Sequence, residues 1–203
     1  MPRTPEYDRS EVVDRAMAVF WARGYGHTSI GDLVKATGLK PGSLYAAFGS
    51  KKGVFLEVLD EYNRGFVRRI RAISASDASK IDAIRHILAD IVDGSANGAD
   101  CRGCLSVNAL LELAQHEPDI TARIDAHNRA VRDGFAELIR AAQAEDELPR
   151  SKSADGMAAF LVNNIWGLRV NCRSQPDRAT LETIVDTVVD ALSAAPGRRG
   201  QRR

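Results

Sequence analysis

The run GLKPGSLYAAFGSKKGVF, residues 38–55, gathers side chains suited to meeting a polyanion. Ser43 and Tyr45 carry hydroxyls, Lys40 precedes them, and Lys51 and Lys52 follow. Gly42, Ala46 and Ala47 are small. On a helix beginning at Pro41, the first-turn N–H groups and their partial positive charge suit a phosphate. Small residues let a backbone approach a groove closely, and Ala46 suits contact with a thymine methyl. A helix from Pro41 to Phe48 is marginal by itself, since isolated helices need roughly 12–15 residues to persist in water. With Leu44 and Phe48 turned inward, such a helix is there to be presented to something.

A second chemical segment is CRGCLSVNALLELAQHEPD, residues 101–119. Structural zinc generally takes four ligands, so Cys101-x-x-Cys104 would need Cys172 and His116 to converge from elsewhere; no metal is expected. Arg102 and a helix N-terminus beside Cys104 would both lower a thiol pKa. Cys104 is therefore either a redox or electrophile switch or a small hydrophobe packed under a helical bundle. His27, His86, His116 and His127 lack metal-ligand spacing, and the HEP at 116–118 is not the HExxH of a zinc protease. No Ser-His-Asp order, glycine-rich phosphate loop or paired-carboxylate motif stands out. The sequence predicts no catalytic residues, no cofactor and no enzyme.

These groups must be positioned by helices, because no alternating run bounded by turn residues suggests a strand. The first helix is expected after Asp8, with Val12, Val13, Ala16, Val19 and Phe20 on one face, and ends at Gly24. In the second, Ser29 caps with Asp32 and Gly38 closes. Pro41–Phe48 is the third, with proline at a first-turn position where its missing N–H is harmless. A fourth opens after Gly49-Ser50 and runs through Phe66. Five more are predicted at about 78–96, 103–115, 118–145, 153–174 and 177–194. The expected fold is all-α with about nine helices. A three-helix helix-turn-helix unit over residues 1–50 leads into a larger helical domain over 51–195, and residues 196–203 form a disordered basic tail.

Charge is divided unevenly along the 203 residues, although the net value is only +1. Residues 1–52 hold eight Lys/Arg against five Asp/Glu, residues 53–195 hold sixteen against twenty-two, and the tail PGRRGQRR adds four arginines. A basic end on an acidic body suits a protein that touches a polyanion with one end. The apolar run Met157–Leu168, twelve residues, is too short to span a bilayer. The start, MPRTPEYDRSE, has no apolar core of the secretory kind. Three cysteines suit a reducing compartment. A cytoplasmic protein without a membrane partner is expected.

Two short helices meeting at Gly38-Leu39 have helix-turn-helix geometry, whose second helix enters the DNA major groove. The run AMAVFWARGYGHTSIGDLVKATGLKPGSLYAAFGSKKGVFLEVL resembles the N-terminal domain of the tetracycline-repressor (TetR) family. The likeness is carried by Phe20, Gly24-Tyr25, Thr28-Ser29, the turn Lys35 to Leu39, Gly42-Ser43-Leu44-Tyr45, Phe48 and Ser50-Lys51, within residues 9–60. The resemblance implies a dimeric repressor that binds a palindromic double-stranded operator and lets go when a small molecule fills its C-terminal bundle. It implies phosphate contacts from Thr28, Ser29, Tyr45 and Lys51, with Lys40, Gly42, Ser43 and Ala46 facing bases or nearby backbone. Members often carry His, Tyr or Asn in the two positions before the closing aromatic. Ala46-Ala47 here shifts readout to shape, methyl contacts and an arm bearing Arg3 and Arg9.

The same analogy pairs the last two helices with their copies in a homodimer. Two apolar stripes fit it: Ile184, Val185, Val188, Val189 and Leu192, and Phe160, Leu161, Ile165, Trp166 and Leu168. Candidate effector-binding residues are Cys104, Asn108, Glu112, His116, Asn163 and Trp166, with Asn164, polar or amphipathic groups inside mostly apolar segments. Some relatives with a similar Gly-Cys-Leu helix start resemble electrophile sensors, which makes a thiol sensor acting through Cys104 an alternative. A helical interaction protein without DNA binding is the other.

Overall fold

A computed structural model of the chain describes residues 7–74, 79–96, 102–171, 174 and 177–194. Every long element among them is helical: α1 Arg9–Arg23, α2 Ile30–Thr37, α3 Pro41–Phe48, α4 Lys51–Ser74, α5 Lys80–Ala96, α6 Leu105–Leu113, α7 Pro118–Ala144, α8 Ala154–Asn171 and α9 Arg178–Ser193. The predicted all-α order is therefore met, with ends moved by three residues at most for the last five helices. Arg3, Cys101, Cys172 and the tail 196–203 lie outside the described residues.

Local chemistry sets the first boundaries. The Asp8 carboxylate accepts the Ser10 N–H at 2.8 Å and opens α1. Ser29 and Asp32 form a reciprocal capping box at the start of α2. Gly38, at φ 73°, takes the left-handed conformation that turns the chain towards α3.

The helices form two compact units. The first is the chain up to Phe66 together with Cys104–His127, so α6 and the opening of α7 join the three N-terminal helices. Its core holds Phe20, Leu33, Leu44, Phe55, Leu59, Leu105, Ile120 and Ile124, each at most 2% exposed. Rings lock it: Phe20 meets Phe55 edge-on with centroids 4.8 Å apart, and Trp21 meets Tyr62 at 5.1 Å.

The second unit is Val67–Gly103 with the chain from Asn128 onward. There α5 packs on α8 and α9, and α8 on α9. The Glu147 carboxylate caps α5 by accepting from Ser79 Oγ and from the N–H groups of Lys80 and Ile81. This arrangement corrects the expected dimer stripes. Val185, Val188, Val189 and Leu192 of α9, with Leu161, Ile165 and Leu168 of α8, are buried inside the protomer. Of the predicted set, Phe160 is exposed, while Trp166 and Ile184 are half-buried. Periodicity reveals an apolar face, not whose surface covers it.

Candidate nucleic-acid interface

Leu44, 1% exposed, and half-buried Phe48 fix the inner side of α3. At 3.6 residues per turn, Ala46 then falls at the crest of the opposite side, with Gly42 roughly 40° to one flank and Ser43 roughly 60° to the other. All three are exposed, and so is Tyr45 at 48%. A Cβ built at Gly42 would meet nothing within 4 Å. Nothing inside the chain requires glycine there, although glycine costs a helix about 0.5–1 kcal/mol relative to alanine.

The start of α3 is also bare. Asp8 caps α1 and Ser29 caps α2, but no side chain caps α3, whose N-cap residue is the exposed Lys40. Pro41 has no N–H, leaving the amides of Gly42 and Ser43 at an open helix end beside a lysine. Such an end suits a phosphate oxygen.

The far end of α3 is clamped. Arg9 Nε and Nη2 donate to the two Glu57 carboxylate oxygens at 2.7 and 2.5 Å. Both its Nη atoms reach Ala47 O at 3.2 Å, and the guanidinium lies 4.4 Å from the Phe48 ring centre. This corrects the expectation that Arg9 serves a DNA-contacting arm: its planar fork is occupied in tying α1, α3 and α4 together.

The turn between α1 and α2 redistributes the other candidates. Thr28 is 1% exposed and its hydroxyl donates to Gly24 O at 2.7 Å, so its side chain locks the turn and is not available at the surface. Ser29 is exposed, but its hydroxyl is engaged with Asp32, donating to the carboxylate at 2.7 Å and accepting the Asp32 N–H at 3.1 Å. Lys51 donates to the carbonyls of Tyr25 and Thr28, both at 3.0 Å, and sits 4.2 Å from the centre of the Tyr25 ring. Burial, reinforced by Glu117, pushes the Tyr25 hydroxyl above its ordinary 10.0. Lys52 pairs with Asp119 at 2.6 Å and Glu117 at 2.9 Å, which raises its pKa.

Sequence reasoning missed what closes this turn. Glu112 of α6, expected among effector-binding residues, instead accepts the N–H of Tyr25 at 3.0 Å and of Gly26 at 2.6 Å. Gly24 and Gly26 make room for it, since a Cβ at either would lie 2.9 Å from a Glu112 carboxylate oxygen. A pair of glycines flanking an aromatic was the only local trace of the contact, and it named no partner.

The remaining effector candidates are divided. Cys104, buried, is the N-cap residue of α6 and accepts from Tyr62 Oη at 3.5 Å. Beside it Ser106 Oγ donates to Asn63 Oδ1 at 2.9 Å, both residues buried. Asn108 is half-buried one turn along, whereas His116 is exposed beyond the helix end. On α8 of the second unit, Asn163 is exposed, Trp166 is half-buried, and Asn164 Nδ2 donates to its own helix at Phe160 O, 2.8 Å. Among the described residues, no group of three or more His, Cys, Asp or Glu could hold a metal ion. No described helix is long and apolar enough to cross a membrane.

Two family models match the chain. Residues 12–58 match the bacterial regulatory proteins of the tetR family, and residues 81–188 match the tetracyclin repressor-like C-terminal domain. The transcriptional repressor ComR of Escherichia coli K12 is 29% identical over 96% of this chain and 91% of its own length. Among solved structures, a cysteine mutant of the TetR-family regulator CifR, complexed with a 26-bp double-stranded operator, is 30% identical with a TM-score of 0.82, covering 93% of this chain and 99% of that one. The reduced form of Escherichia coli NemR shares the fold at a TM-score of 0.83 and 18% identity, over 93% of this chain and 98% of that one.

Proposed function

Because the chain belongs to the TetR family of bacterial regulatory proteins, we propose that it is a transcriptional repressor that seats α3 in the major groove of a palindromic operator. The observation that carries this reading is the character of α3: clamped from behind by Arg9, uncapped at its start, and small along the exposed crest of Gly42, Ser43 and Ala46. Lys40, Tyr45 and the amides of Gly42 and Ser43 take phosphate, while Ser43 and Ala46 face base edges. Lys51, Ser29 and Thr28 shape the turn that aims the helix, and Lys51 adds positive charge nearby. The test is fluorescence-anisotropy titration of the full chain against DNA flanking its own gene and against scrambled DNA, across a salt series. Preferential binding with a steep salt slope supports the reading, whereas salt-independent or absent binding leaves a helical interaction protein without DNA binding.

The operator is bound by a homodimer. On α8, Gly156, Phe160, Asn163, Gly167 and Val170 are exposed at alternating spacings of four and three, the register of a packed helix seam. Phe160 is 42% and Val170 47% exposed, and a Cβ at Gly167 would meet nothing within 4 Å. A second copy fits such a self-complementary face.

Release is by an effector acting on the C-terminal domain. A specific observation favours a thiol-based form of this step: Cys104 lies at the N-terminus of α6 with the Tyr62 hydroxyl directed at its sulfur. Alkylation then frees the DNA, and Cys104→Ser abolishes that response. Equal release from both proteins leaves a non-covalent ligand.

A further inference from the structure

We infer that sequence discrimination by α3 operates mainly through thymine methyl groups packed against Ala46, a rule that rests on the assignment of α3 as the groove-reading helix. The helix lacks the usual base-reading side chains. Its eight residues, PGSLYAAF, include no Arg, Lys, Asn, Gln, Asp or Glu. Those are the side chains that pair bidentately with guanine or adenine or accept from cytosine. One hydroxyl near the crest, Ser43, donates or accepts with equal ease and so separates bases weakly.

What the helix does offer is a methyl group at its crest. Ala46 stands opposite the buried Leu44 and half-buried Phe48, and Gly42, one turn before it, leaves the surface open. A helix approaching the groove along this side brings the Ala46 Cβ towards the base edges first. The thymine 5-methyl is the only apolar group on those edges, so it is the feature an alanine can tell from the alternatives. Methyl contact has no directional hydrogen bond to hold it in register and depends on a fixed distance. The Arg9 clamp on Ala47 O and Phe48 supplies that rigidity one residue away. Tyr45, on the flank, and Lys40, before the helix, are placed for the sugar–phosphate backbone, which positions without specifying.

The test uses the full-length protein and a duplex that it selects itself from a randomised pool. A second duplex of the same sequence carries deoxyuridine for every thymidine in both half-sites, removing the methyl groups and nothing else. Kd is measured by anisotropy at one salt concentration for the parent and for Ala46→Gly, with Ala46→Ser as the variant that keeps a helix-compatible side chain. Burial of one methyl corresponds to about fourfold in affinity, so the deoxyuridine duplex should bind the parent dimer more than about tenfold less tightly. Ala46→Gly, which lacks the Cβ, should bind the two duplexes within about twofold of each other, and Ala46→Ser, which keeps the Cβ but sets a hydroxyl on it, should show a smaller penalty than the parent. Equal parent affinity for the two duplexes would overturn the rule, as would a deoxyuridine penalty that persists undiminished in Ala46→Gly and Ala46→Ser. If no sequence is enriched from the pool and no duplex binds, the groove-reading assignment itself fails and takes this rule with it.

Discussion

The Glu112 carboxylate and the Gly26 N–H, eighty-six positions apart, meet at 2.6 Å. The same carboxylate holds the Tyr25 N–H, so one α6 side chain satisfies two amides of the turn from which α2 departs. Charge-assisted bonds of this kind are worth roughly 1.5–3 kcal/mol when shielded, and less at an exposed site such as this. Glu112→Ala should therefore lower unfolding stability by about 1 kcal/mol, with Glu112→Gln losing less. Urea denaturation followed by helical circular dichroism checks the order. A Glu112→Ala protein as stable as the parent would deny the contact a structural role.

Lys40 and Lys51 flank α3 in sequence but have different tasks. Lys51 is held on two carbonyls and an aromatic face, so Lys51→Ala should cost about 2 kcal/mol of stability. Lys40, exposed at the bare helix start, should leave stability within about 0.5 kcal/mol when changed to alanine. Its loss should flatten the logarithmic salt slope of DNA binding by about one unit, evenly across sequences. Paired denaturation and salt titrations on the two variants separate these outcomes.

Phe160→Glu and Val170→Glu should each leave the protomer helical while weakening self-association by about a hundredfold or more, because a charge is placed in an apolar seam. Sedimentation velocity over a concentration series reads this directly. Unchanged sedimentation in both variants would move the dimer contact elsewhere.

Acid should unfold the chain through its helix caps. The carboxylates of Asp8, Asp32 and Asp177 are held below their ordinary 3.8, chiefly by hydrogen bonds from the Ser10, Ser29 and Thr180 side chains. At Glu147 burial works upward but is outweighed by the amides of Ile81 and Lys80 and the Ser79 hydroxyl, so its value also falls below 4.5. Each folded value lies under the unfolded one, so the stabilisation is present above the unfolded values and is lost as pH falls through 3.8 and below. Stability should be level from neutrality to about pH 5 and decline beneath about pH 4. In Asp32→Asn the decline should be shallower, as measured by urea midpoints at stepped pH.

Helix order was legible in the sequence because its signals are local. Asp8, Ser29 with Asp32, Gly38 and Pro41 mark boundaries by chemistry confined to a turn. The exposed face of α3 was legible for the same reason, since Leu44 and Phe48 fix its rotation. Contacts between distant positions left no such mark. Arg9 with Glu57, Lys51 with Tyr25 and Glu112 with Gly26 are each an ordinary charged residue until the fold brings its partner near. Thr28 read as a surface hydroxyl and is a buried turn lock. The α8 and α9 stripes read as a dimer face because a 3.6-residue period looks the same whether a helix packs on its own chain or on another.

Gly42 provides the most direct test that α3 exists to be docked. Alanine at this position meets no atom of the protein and favours the helix, so Gly42→Ala should raise stability by up to about 1 kcal/mol. If the open face is there to admit DNA, the added methyl crowds the groove, and the Kd for a duplex selected by the parent should rise roughly tenfold. The measurement is that Kd, by anisotropy, parent against Gly42→Ala at one salt concentration. Weaker binding by the more stable protein is the predicted result; equal or tighter binding would contradict the account.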